Sequence, residues 1–324
     1  MSQQVSPPGR SSIVTERQLY RSLLFVPGTK LDWMTKSPKY GSDAVIFDLE
    51  DAVPQDQKAP ARAIVAQAIK SLAESPIGIF VRVNDWTTGL LIDDIMAVVQ
   101  PRLDGVVLPK VDSPDDVLAL DRVISSVELG AGVQPGATEI IPLAETAKAV
   151  EHFGEICHAS SRIARVVGVF GITPGAPGDL HRSLGVEASE SGEELLYASG
   201  KLVASARAAE IGQILGGMTV DIANLDLLRR SLIRAKQFGS TGSMAIHPSH
   251  VAEMNAVFTP DAAELKVAAE IIRAVAAASA SGQGAAVYDG KMVDLAHAMS
   301  SLKTLQRAEA WGVEVPEYPA PDTW

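Results

Sequence analysis

Three acidic residues end a short apolar run near the start of the chain. The run Asp43-Ala-Val-Ile-Phe-Asp48 reads as a buried strand, and Glu50 and Asp51 follow Asp48 directly. A strand that delivers carboxylates at its carboxyl end is typical of α/β enzymes, which keep their chemistry at that edge of the sheet. The spacing therefore predicts active-site acids at this position.

Polar side chains also stand at the ends of most other predicted strands. They are Arg82 and Asn84 after the third strand, Lys110 after the fourth, Glu145 after the fifth, Asp221 after the seventh and His247 after the eighth. The sixth strand runs into Gly171 and a Gly/Pro-rich loop that reaches Asp179. Because the carboxyl ends of parallel strands meet at one face, these side chains are expected to converge on one site. Simple contact with solvent is the alternative.

The elements that must position these residues are eight apolar, β-branched runs bounded by turn signals. The predicted strands are residues 21–27, 43–48, 77–83, 105–109, 139–143, 164–170, 217–222 and 242–247. Helical stretches fill the gaps, and one starts clearly at Ser113-Pro114, where serine caps the helix and proline takes its first turn. Alternating strands and helices of this number predict an α/β fold, a (β/α)₈ TIM barrel. A doubly wound open sheet is the alternative.

The chain is predicted to divide into three parts. Residues 1–16 are polar and read as a disordered tail, residues 17–258 hold the barrel catalytic domain, and residues 259–324 form a C-terminal helical extension. A long alanine-rich helix is expected after Thr259-Pro260-Asp261. The segment Ser279 to Gly290 is rich in glycine and serine and is predicted to be a flexible elbow before another helix.

Composition narrows the classes of partner and compartment. The formal net charge of −11 over 324 residues argues against nucleic acid or an anionic membrane as a partner. A single cysteine, Cys157, excludes an internal disulfide and a cysteine-based metal site. This usage predicts a cytoplasmic protein. No apolar stretch reaches the roughly twenty residues that a membrane-spanning helix needs.

Several segments in consistent order resemble one enzyme family. They are Arg21-Ser-Leu-Leu-Phe-Val-Pro-Gly28, Asp48-Leu-Glu-Asp-Ala-Val53, Lys58 with Arg62, Val81-Arg-Val-Asn84, Glu145-Thr-Ala147 and Ile246-His-Pro248. Together they resemble the citrate lyase β-subunit-like group of the HpcH/HpaI aldolase family, which includes malyl-CoA, citramalyl-CoA and citryl lyases. The resemblance implies a TIM barrel, Mg²⁺ as cofactor and a homo-oligomer, a trimer or hexamer.

The resemblance also implies the metal ligands, Glu145 and Asp179. Carboxylates without a cysteine or histidine cluster favour Mg²⁺ or Mn²⁺ over Zn²⁺. Relatives place the second aspartate only a few residues after the Phe-Gly pair, whereas seven residues separate Gly171 from Asp179 here. Asp179 is aligned because Gly185 lies six residues on, as the family motif requires. The alternative is that this loop shapes the substrate and another acid supplies the second ligand.

The remaining site residues follow from the same resemblance. Arg82 matches the arginine that stabilises the thioester oxygen as it becomes enolate-like, and Asp48 and Glu50 fit an outer shell that holds metal-bound water. The alternative for Asp48 and Glu50 is a capping or salt-bridge acid beside Lys58 and Arg62, and for Arg82 it is an ion pair with an acid at the barrel mouth. The predicted substrate-binding residues are Arg21, Lys30, Asn84, His247 and Pro248. For Arg21 and Lys30 the alternative is a structural ion pair or a solvated lysine.

The segment Tyr288-Asp-Gly-Lys-Met-Val-Asp294 resembles the family's C-terminal lid. The last aspartate of that lid acts as acid or base in a neighbouring subunit's active site, so Asp294 is predicted to move the proton. The alternative is an acid that stabilises the start of a helix.

The predicted function is a Mg²⁺-dependent lyase acting on malyl-CoA, citramalyl-CoA or a similar β-hydroxyacyl-CoA thioester. Retro-aldol cleavage would release an acyl-CoA and a 2-keto acid. The alternatives are a thioesterase on such an ester, a metal-dependent aldolase on free keto acids, a citryl lyase β-type subunit and a catalytically silent assembly subunit.

Overall fold

The computed structural model describes residues 18–321 and residue 324. These residues form two compact units, Tyr20–Glu264 on the one hand and Leu265–Trp324 with residues 18–19 on the other. The predicted disordered tail, residues 1–16, lies outside the described residues. Within the described part of the chain, every helix is too short or too polar to span a bilayer.

In the unit Tyr20–Glu264, all of which the structure describes, eight strands alternate with helices. The strands are β1 (Ser22–Pro27), β2 (Ala44–Asp48), β3 (Gly78–Arg82), β4 (Gly105–Leu108), β5 (Glu139–Pro142), β6 (Arg165–Val169), β7 (Gln213–Gly216) and β8 (Ser243–Ala245). The helices are α1 (Leu31–Lys36), α2 (Lys58–Ser71), α3 (Leu91–Val98), α4 (Pro114–Ala131), α5 (Ala147–His158), α6 (Asp179–Leu184), α7 (Leu196–Ala208), α8 (Leu225–Gln237) and α9 (Ser249–Phe258).

The strands form a curled parallel sheet. Six of them pair in the order β5-β4-β3-β2-β1-β8, and β6 pairs with β7. Single parallel bridges join Leu143, just beyond β5, to Val167 of β6, and Leu215 of β7 to Gly242, just before β8. The predicted α/β class is confirmed, and the carboxyl ends of the strands share one edge.

Burial explains why these segments are strands. All residues of β2, β4, β5, β6 and β7 are buried, as in parallel sheets that are covered on both faces. One face packs against the helices in a large apolar cluster. The other face carries a second cluster with members from all eight strands: Leu23, Ala44, Ile46, Phe80, Val107, Ile141, Val167, Leu215 and Met244. Alternate residues of each strand thus fill two separate cores.

The predicted position of the seventh strand, residues 217–222, is wrong. The strand is Gln213–Gly216, and the chain leaves the sheet at Gly217, which has a φ of 86°. The following run alternates polar and apolar residues like a strand, but Val220 and Ile222 are each 47% exposed. Two apolar runs separated by a pair of glycines compete for one strand position, and the first fills the core.

The C-terminal unit contains a hairpin between two helices. Helix α10 (Ala262–Ala280) is followed by the antiparallel strands β9 (Ala285–Tyr288) and β10 (Lys291–Asp294) and by α11 (Leu295–Ala310). The prediction of a flexible elbow through Gly290 is therefore wrong for residues 285–288. Asp289 and Gly290 both have positive φ, as the two-residue turn of a tight hairpin requires. This Asp-Gly pair was the sequence signal for the hairpin.

Candidate active site at the carboxyl edge of the sheet

Asp48 anchors the carboxyl edge at the end of β2. Its carboxylate accepts hydrogen bonds from the backbone N–H groups of Glu50 (2.9 Å) and Ala52 (3.2 Å), which turn the chain around it. The same carboxylate accepts hydrogen bonds from Nε and Nη2 of Arg82, at 2.8 and 2.6 Å. Four donors therefore occupy the buried Asp48, which leaves it as a support for its neighbours.

Arg82, the last residue of β3, is held in a fixed plane. Its guanidinium lies 4.9 Å from the ring centre of Phe25, and Nη1 is 3.0 Å from Oε2 of Glu50. Burial lowers the pKa of Arg82, but the hydrogen bonds that it donates to Asp48 and the charges of Asp48 and Glu50 outweigh this effect, so the pKa is raised overall. The result is a permanent cation whose orientation is set by acids.

Glu50 is buried between cations. Lys110 Nζ donates to its Oε1 at 2.7 Å, on the side away from Arg82. Its backbone is fixed by Lys58, whose Nζ donates to the carbonyl oxygens of Leu49 (2.8 Å) and Glu50 (2.7 Å). Burial raises the pKa of Glu50, although Arg82 and Lys110 oppose the shift.

Glu145 follows β5 and contacts Lys110, the residue that also binds Glu50. Its Oε2 accepts the backbone N–H of Lys110 at 3.2 Å. Burial raises the pKa of Glu145 to about 7, against the opposing charge of Arg82 and with added repulsion from Glu50 and Asp179. Burial is thus the largest cause of the raised pKa of Glu145, and the charge of Arg82 offsets it only in part.

Asp179 opens helix α6 after the loop that follows β6. Its carboxylate pairs with Arg182 one turn on. The loop is held by His181, which is buried, accepts the N–H of Gly178 at 3.3 Å on Nδ1 and lies 3.2 Å from Glu194 on Nε2. The charge of Asp179 raises the pKa of both Glu145 and Lys110, so it acts on the same electrostatic neighbourhood.

These acids fit a hard divalent cation. Within residues 18–321 and 324, no three His, Cys, Asp or Glu side chains lie close enough to hold a metal ion by themselves. Mg²⁺ usually keeps several water ligands and takes only one or two carboxylates from the protein. The charge of Asp179 acts on Glu145, and a bound cation would relieve the repulsion between the two carboxylates.

Two of the predicted substrate-binding residues have structural partners. Asn84 is buried, and both its backbone N–H and its side-chain amide donate to Asp94, at 2.9 and 2.7 Å. Arg21 precedes β1 and therefore lies at the amino edge of the sheet, where Nε and Nη2 donate to Asp43 at 2.9 and 2.7 Å. The structure brings Asn84 to the carboxyl edge but does not bring Arg21 there.

The other predicted substrate-binding residues lie in the segments that follow β1 and β8. Lys30 is exposed, with Nζ 5.9 Å from the ring centre of Trp33. His247 is exposed and its Nδ1 lies 2.8 Å from Oγ of Ser249, while Pro248 is the N-cap of α9. Both segments leave the carboxyl ends of their strands.

Asp294 belongs to the C-terminal unit, where it is the N-cap of α11. Its Oδ1 accepts the backbone N–H groups of Ala296 (3.1 Å) and His297 (3.3 Å) and lies 2.7 Å from Nδ1 of His297. The contact with His297 lowers the pKa of Asp294. The helix-capping geometry that was the alternative for this residue is present, and its predicted catalytic role stays a prediction.

Lys110 has contacts in the site that its sequence position alone does not predict. It stands at the end of its predicted strand like the other site residues, and that position was the available signal. Its contacts with Glu50 and Glu145 join acids from two different strands. His181 was not predicted to take part in the site, because nothing in its sequence spacing indicates its contact with Glu194.

Comparison with known proteins adds relatives of nearly full length. Residues 21–248 match the family model described as HpcH/HpaI aldolase/citrate lyase. The chain is 33% identical over 293 residues to citrate lyase subunit beta of Escherichia coli, covering 90% of this chain and 94% of that one. It is 30% identical over 322 residues to the L-malyl-CoA/beta-methylmalyl-CoA lyase of Cereibacter sphaeroides, covering 94% and 97%.

Solved structures of citrate lyase-type proteins are also similar to this chain. Protein CitE from Mycobacterium tuberculosis in complex with magnesium, acetoacetate and coenzyme A is 25% identical, with a TM-score of 0.66 over 89% of this chain and 97% of that one. A citrate lyase from Burkholderia xenovorans matches with a TM-score of 0.77 at 20% identity, over 91% and 93% of the two chains, and supports the fold alone.

Proposed function

The chain belongs to the HpcH/HpaI aldolase/citrate lyase family, and from this premise we propose that it is a Mg²⁺-dependent carbon–carbon lyase. Its substrate is a β-hydroxyacyl-CoA thioester such as malyl-CoA or citramalyl-CoA, and its products are an acyl-CoA and a 2-keto acid. The observation that carries the proposal is the group of Glu50, Glu145 and Arg82 at one edge of the sheet.

The reaction places defined demands on the site. The β-hydroxyl loses its proton, its oxygen becomes the keto oxygen, and the C–C bond to the carbon beside the thioester breaks. The electron pair of that bond collects as a thioester enolate, which takes up a proton to give the acyl-CoA. Negative charge must therefore be stabilised first on the hydroxyl oxygen and then on the thioester oxygen.

Glu145 and Asp179 are the proposed ligands of Mg²⁺, with remaining positions for water and substrate. When bound, the cation polarises the hydroxyl or keto oxygen and the neighbouring carboxylate of the keto acid. Glu50 and Asp48 would hold water and the surrounding side chains in place. The structure of CitE from Mycobacterium tuberculosis, which contains magnesium, supports this choice of cofactor.

Arg82 is proposed to stabilise the thioester oxygen as charge develops there. Asp48 and Glu50 fix its plane, so the guanidinium needs no reorganisation during the reaction. Arginine has five N–H groups. Asp48 accepts hydrogen bonds from Nε and Nη2, and Glu50 lies at Nη1, which leaves N–H groups on Nη1 and Nη2 for an oxygen of the substrate. Lys30, Asn84, His247 and Pro248 are proposed to line the substrate path at the same edge.

The finer architecture is part of the proposal. We propose that the eight strands close into a (β/α)₈ barrel, which the bridges on either side of the β6-β7 pair support. We retain residues 17–258 as the catalytic domain and residues 259–324 as a helical extension and lid. The hairpin carries exposed apolar side chains, Val287 at 75% and Met292 at 68%, as expected of a surface that meets another subunit. A homo-oligomer and a cytoplasmic location complete the proposal.

The test is incubation with malyl-CoA, citramalyl-CoA and related thioesters with Mg²⁺, with separate assays for keto acid and free thiol. We expect keto acid without free thiol, and loss of the product in excess EDTA. Free thiol without keto acid would instead identify a thioesterase. Cleavage of free hydroxy acids alone would identify an aldolase, and no product from any substrate would favour an assembly subunit.

A further inference from the structure

We propose that Lys110 is a positioning residue that fixes Glu145 and Glu50 relative to each other. The inference rests on the proposed function, in which Glu145 binds the metal. Lys110 lies directly after Pro109 at the end of β4, between the strands that carry the two acids: β5 is its neighbour on one side, and β3 and then β2 lie on the other.

Lys110 reaches both acids with different parts of the same residue. Its backbone N–H donates to Oε2 of Glu145 at 3.2 Å, and its Nζ donates to Oε1 of Glu50 at 2.7 Å. The two acids come from strands that do not pair with each other. A single residue therefore sets the spacing of carboxylates that the strand pairing itself does not bring together.

The backbone of Lys110 adopts an unfavourable conformation to make both contacts. Its φ is +49°, in the left-handed region that side-chain-bearing residues seldom occupy. Three other described residues apart from glycine share a positive φ, namely Arg102, Glu210 and Asp289. Backbone strain of this kind persists where surrounding contacts hold it, and it is concentrated at functional sites. Here those contacts are the two hydrogen bonds to Glu145 and Glu50.

A simpler role would be charge neutralisation alone. Lys110 Nζ is also 3.9 Å from Oδ2 of Asp85, and its pKa is raised by the acids around it against the effect of burial. The two roles predict opposite effects on metal binding. Removing a cation that merely sits nearby would tighten Mg²⁺ binding, because like charges repel, whereas removing a positioning contact would weaken it.

The test is calorimetric titration of the full-length protein with MgCl₂ alone, for wild type and Lys110→Met, which keeps side-chain length and removes the charge. Lys110→Met keeps the backbone N–H that Glu145 accepts and removes only the amine that fixes Glu50. We expect the Mg²⁺ Kd to weaken by about tenfold, the size typical of a lost contact in the outer shell of a metal site. With a CoA ester, kcat should fall by about tenfold to 100-fold, while KM changes by less than about threefold. Lys110→Arg, which restores a cation at Glu50, should recover most of both losses.

Lys236→Met is the matched control. Lys236 Nζ pairs with Oε1 of Glu264 at 2.9 Å, and its side chain is 37% exposed, the same fraction as that of Lys110. It lies near the end of α8, in none of the contacts described for the site. This variant should leave Mg²⁺ affinity and kcat unchanged. If Lys110→Met fails to fold, Lys110→Asn replaces it, since asparagine accepts the left-handed backbone and lacks the amine.

Two results separate this inference from the proposed function. Unchanged or tighter Mg²⁺ binding by Lys110→Met and Lys110→Asn, in a protein whose Mg²⁺ affinity depends on Glu145, would overturn the positioning role alone. Unchanged Mg²⁺ affinity in Glu145→Ala would overturn the metal site on which both rest.

Discussion

Arg82 and Arg21 show how the end of a strand decides what a side chain can do. Each guanidinium is held by an aspartate through Nε and Nη2, Arg82 by Asp48 and Arg21 by Asp43. Arg82 ends β3 and lies among the acids at the carboxyl edge. Arg21 precedes β1 and lies at the amino edge, so we expect the same chemical arrangement to have only a structural role there.

Replacing each of these arginines with lysine tests the difference. Arg82→Lys loses the planar contact with Asp48, and we expect kcat to fall by about 100-fold, as when an oxyanion donor is removed. Arg21→Lys should lower the melting temperature and leave kcat and KM close to wild type. Steady-state kinetics with the preferred CoA ester, together with thermal unfolding, measure both. Equal losses of kcat in the two variants would contradict the purely structural role expected for Arg21.

The raised pKa of Glu145 predicts how Mg²⁺ binding depends on pH. The pKa is about 7 in the folded protein without metal and near 4.5 in an unfolded chain. The folded state therefore holds a proton between these values, and the stability of the metal-free protein falls as pH rises through this window. Mg²⁺ must displace that proton below pH 7, so its Kd should be about tenfold weaker at about pH 6 than at about pH 8.

Calorimetry in two buffers of different ionisation enthalpy would detect the proton released by Mg²⁺. Glu155→Gln is a suitable control, because its side chain is 69% exposed on α5. A Kd that stays constant over this range, or no proton release, would contradict the placement of Glu145 at the metal.

At the level of single residues, type and position were predictable and partners were not. The residues at the ends of the predicted strands include Glu50, Arg82 and Glu145, because parallel strands bring their carboxyl ends to one edge. The capture of Asn84 by Asp94, and the left-handed backbone of Lys110, depend on distant segments. No local pattern in the sequence contains that information.

At the level of elements, the turn from β6 into the loop before Asp179 contains a close approach between two chain segments. A Cβ on Gly171 would lie 1.6 Å from the carbonyl oxygen of Met218, in the segment that follows β7. The absence of a side chain therefore lets these two chain segments pass each other. The loop that presents Asp179 begins from this contact.

Alanine substitutions at two glycines test this packing. Gly171→Ala should lower the free energy of unfolding by about 3 kcal/mol, because the backbone must move to admit the methyl group. Gly154→Ala is the matched control in α5, where the nearest atom to a new Cβ is 3.9 Å away. It should raise the free energy of unfolding by about 1 kcal/mol, since alanine favours a helix. Denaturant unfolding measures both, and a neutral Gly171→Ala would show that the two segments have room to separate.

Elements with one strong pattern were predictable, and those with two competing patterns were not. Strand β2, with every residue buried, and helix α4, with its Ser113-Pro114 start, lie where the sequence indicated. Residues 213–222 offered two apolar runs for one strand, and core packing selected the first. The glycines between α10 and α11 predict flexibility, whereas the structure has the hairpin of β9 and β10 there, with Asp289-Gly290 as its tight turn.

For the whole molecule, the proposed lid requires a second subunit. If Asp294 acts in a neighbour's site, two inactive variants with lesions in different components should complement each other. After subunit exchange, an equal mixture of Glu145→Ala and Asp294→Ala should regain roughly a quarter of wild-type activity, because one of four random pairings joins two intact components.

A mixture of Glu145→Ala with Arg82→Ala is the control for this experiment. Both residues belong to the same unit of one chain, so no pairing restores a complete site, and activity should stay absent. Recovery in the control, or none with Asp294→Ala while subunits exchange, would contradict the lid proposal.

The central claim is that acids at the carboxyl edge of the sheet support Mg²⁺-dependent cleavage of a CoA thioester. The most direct measurement compares keto acid release from malyl-CoA and citramalyl-CoA by wild type, Glu145→Ala and the exposed control Glu155→Ala, with Mg²⁺ and with EDTA. We predict Mg²⁺-dependent keto acid, without free thiol, from wild type and Glu155→Ala only. Full activity of Glu145→Ala, or activity of wild type that survives EDTA, would contradict the account.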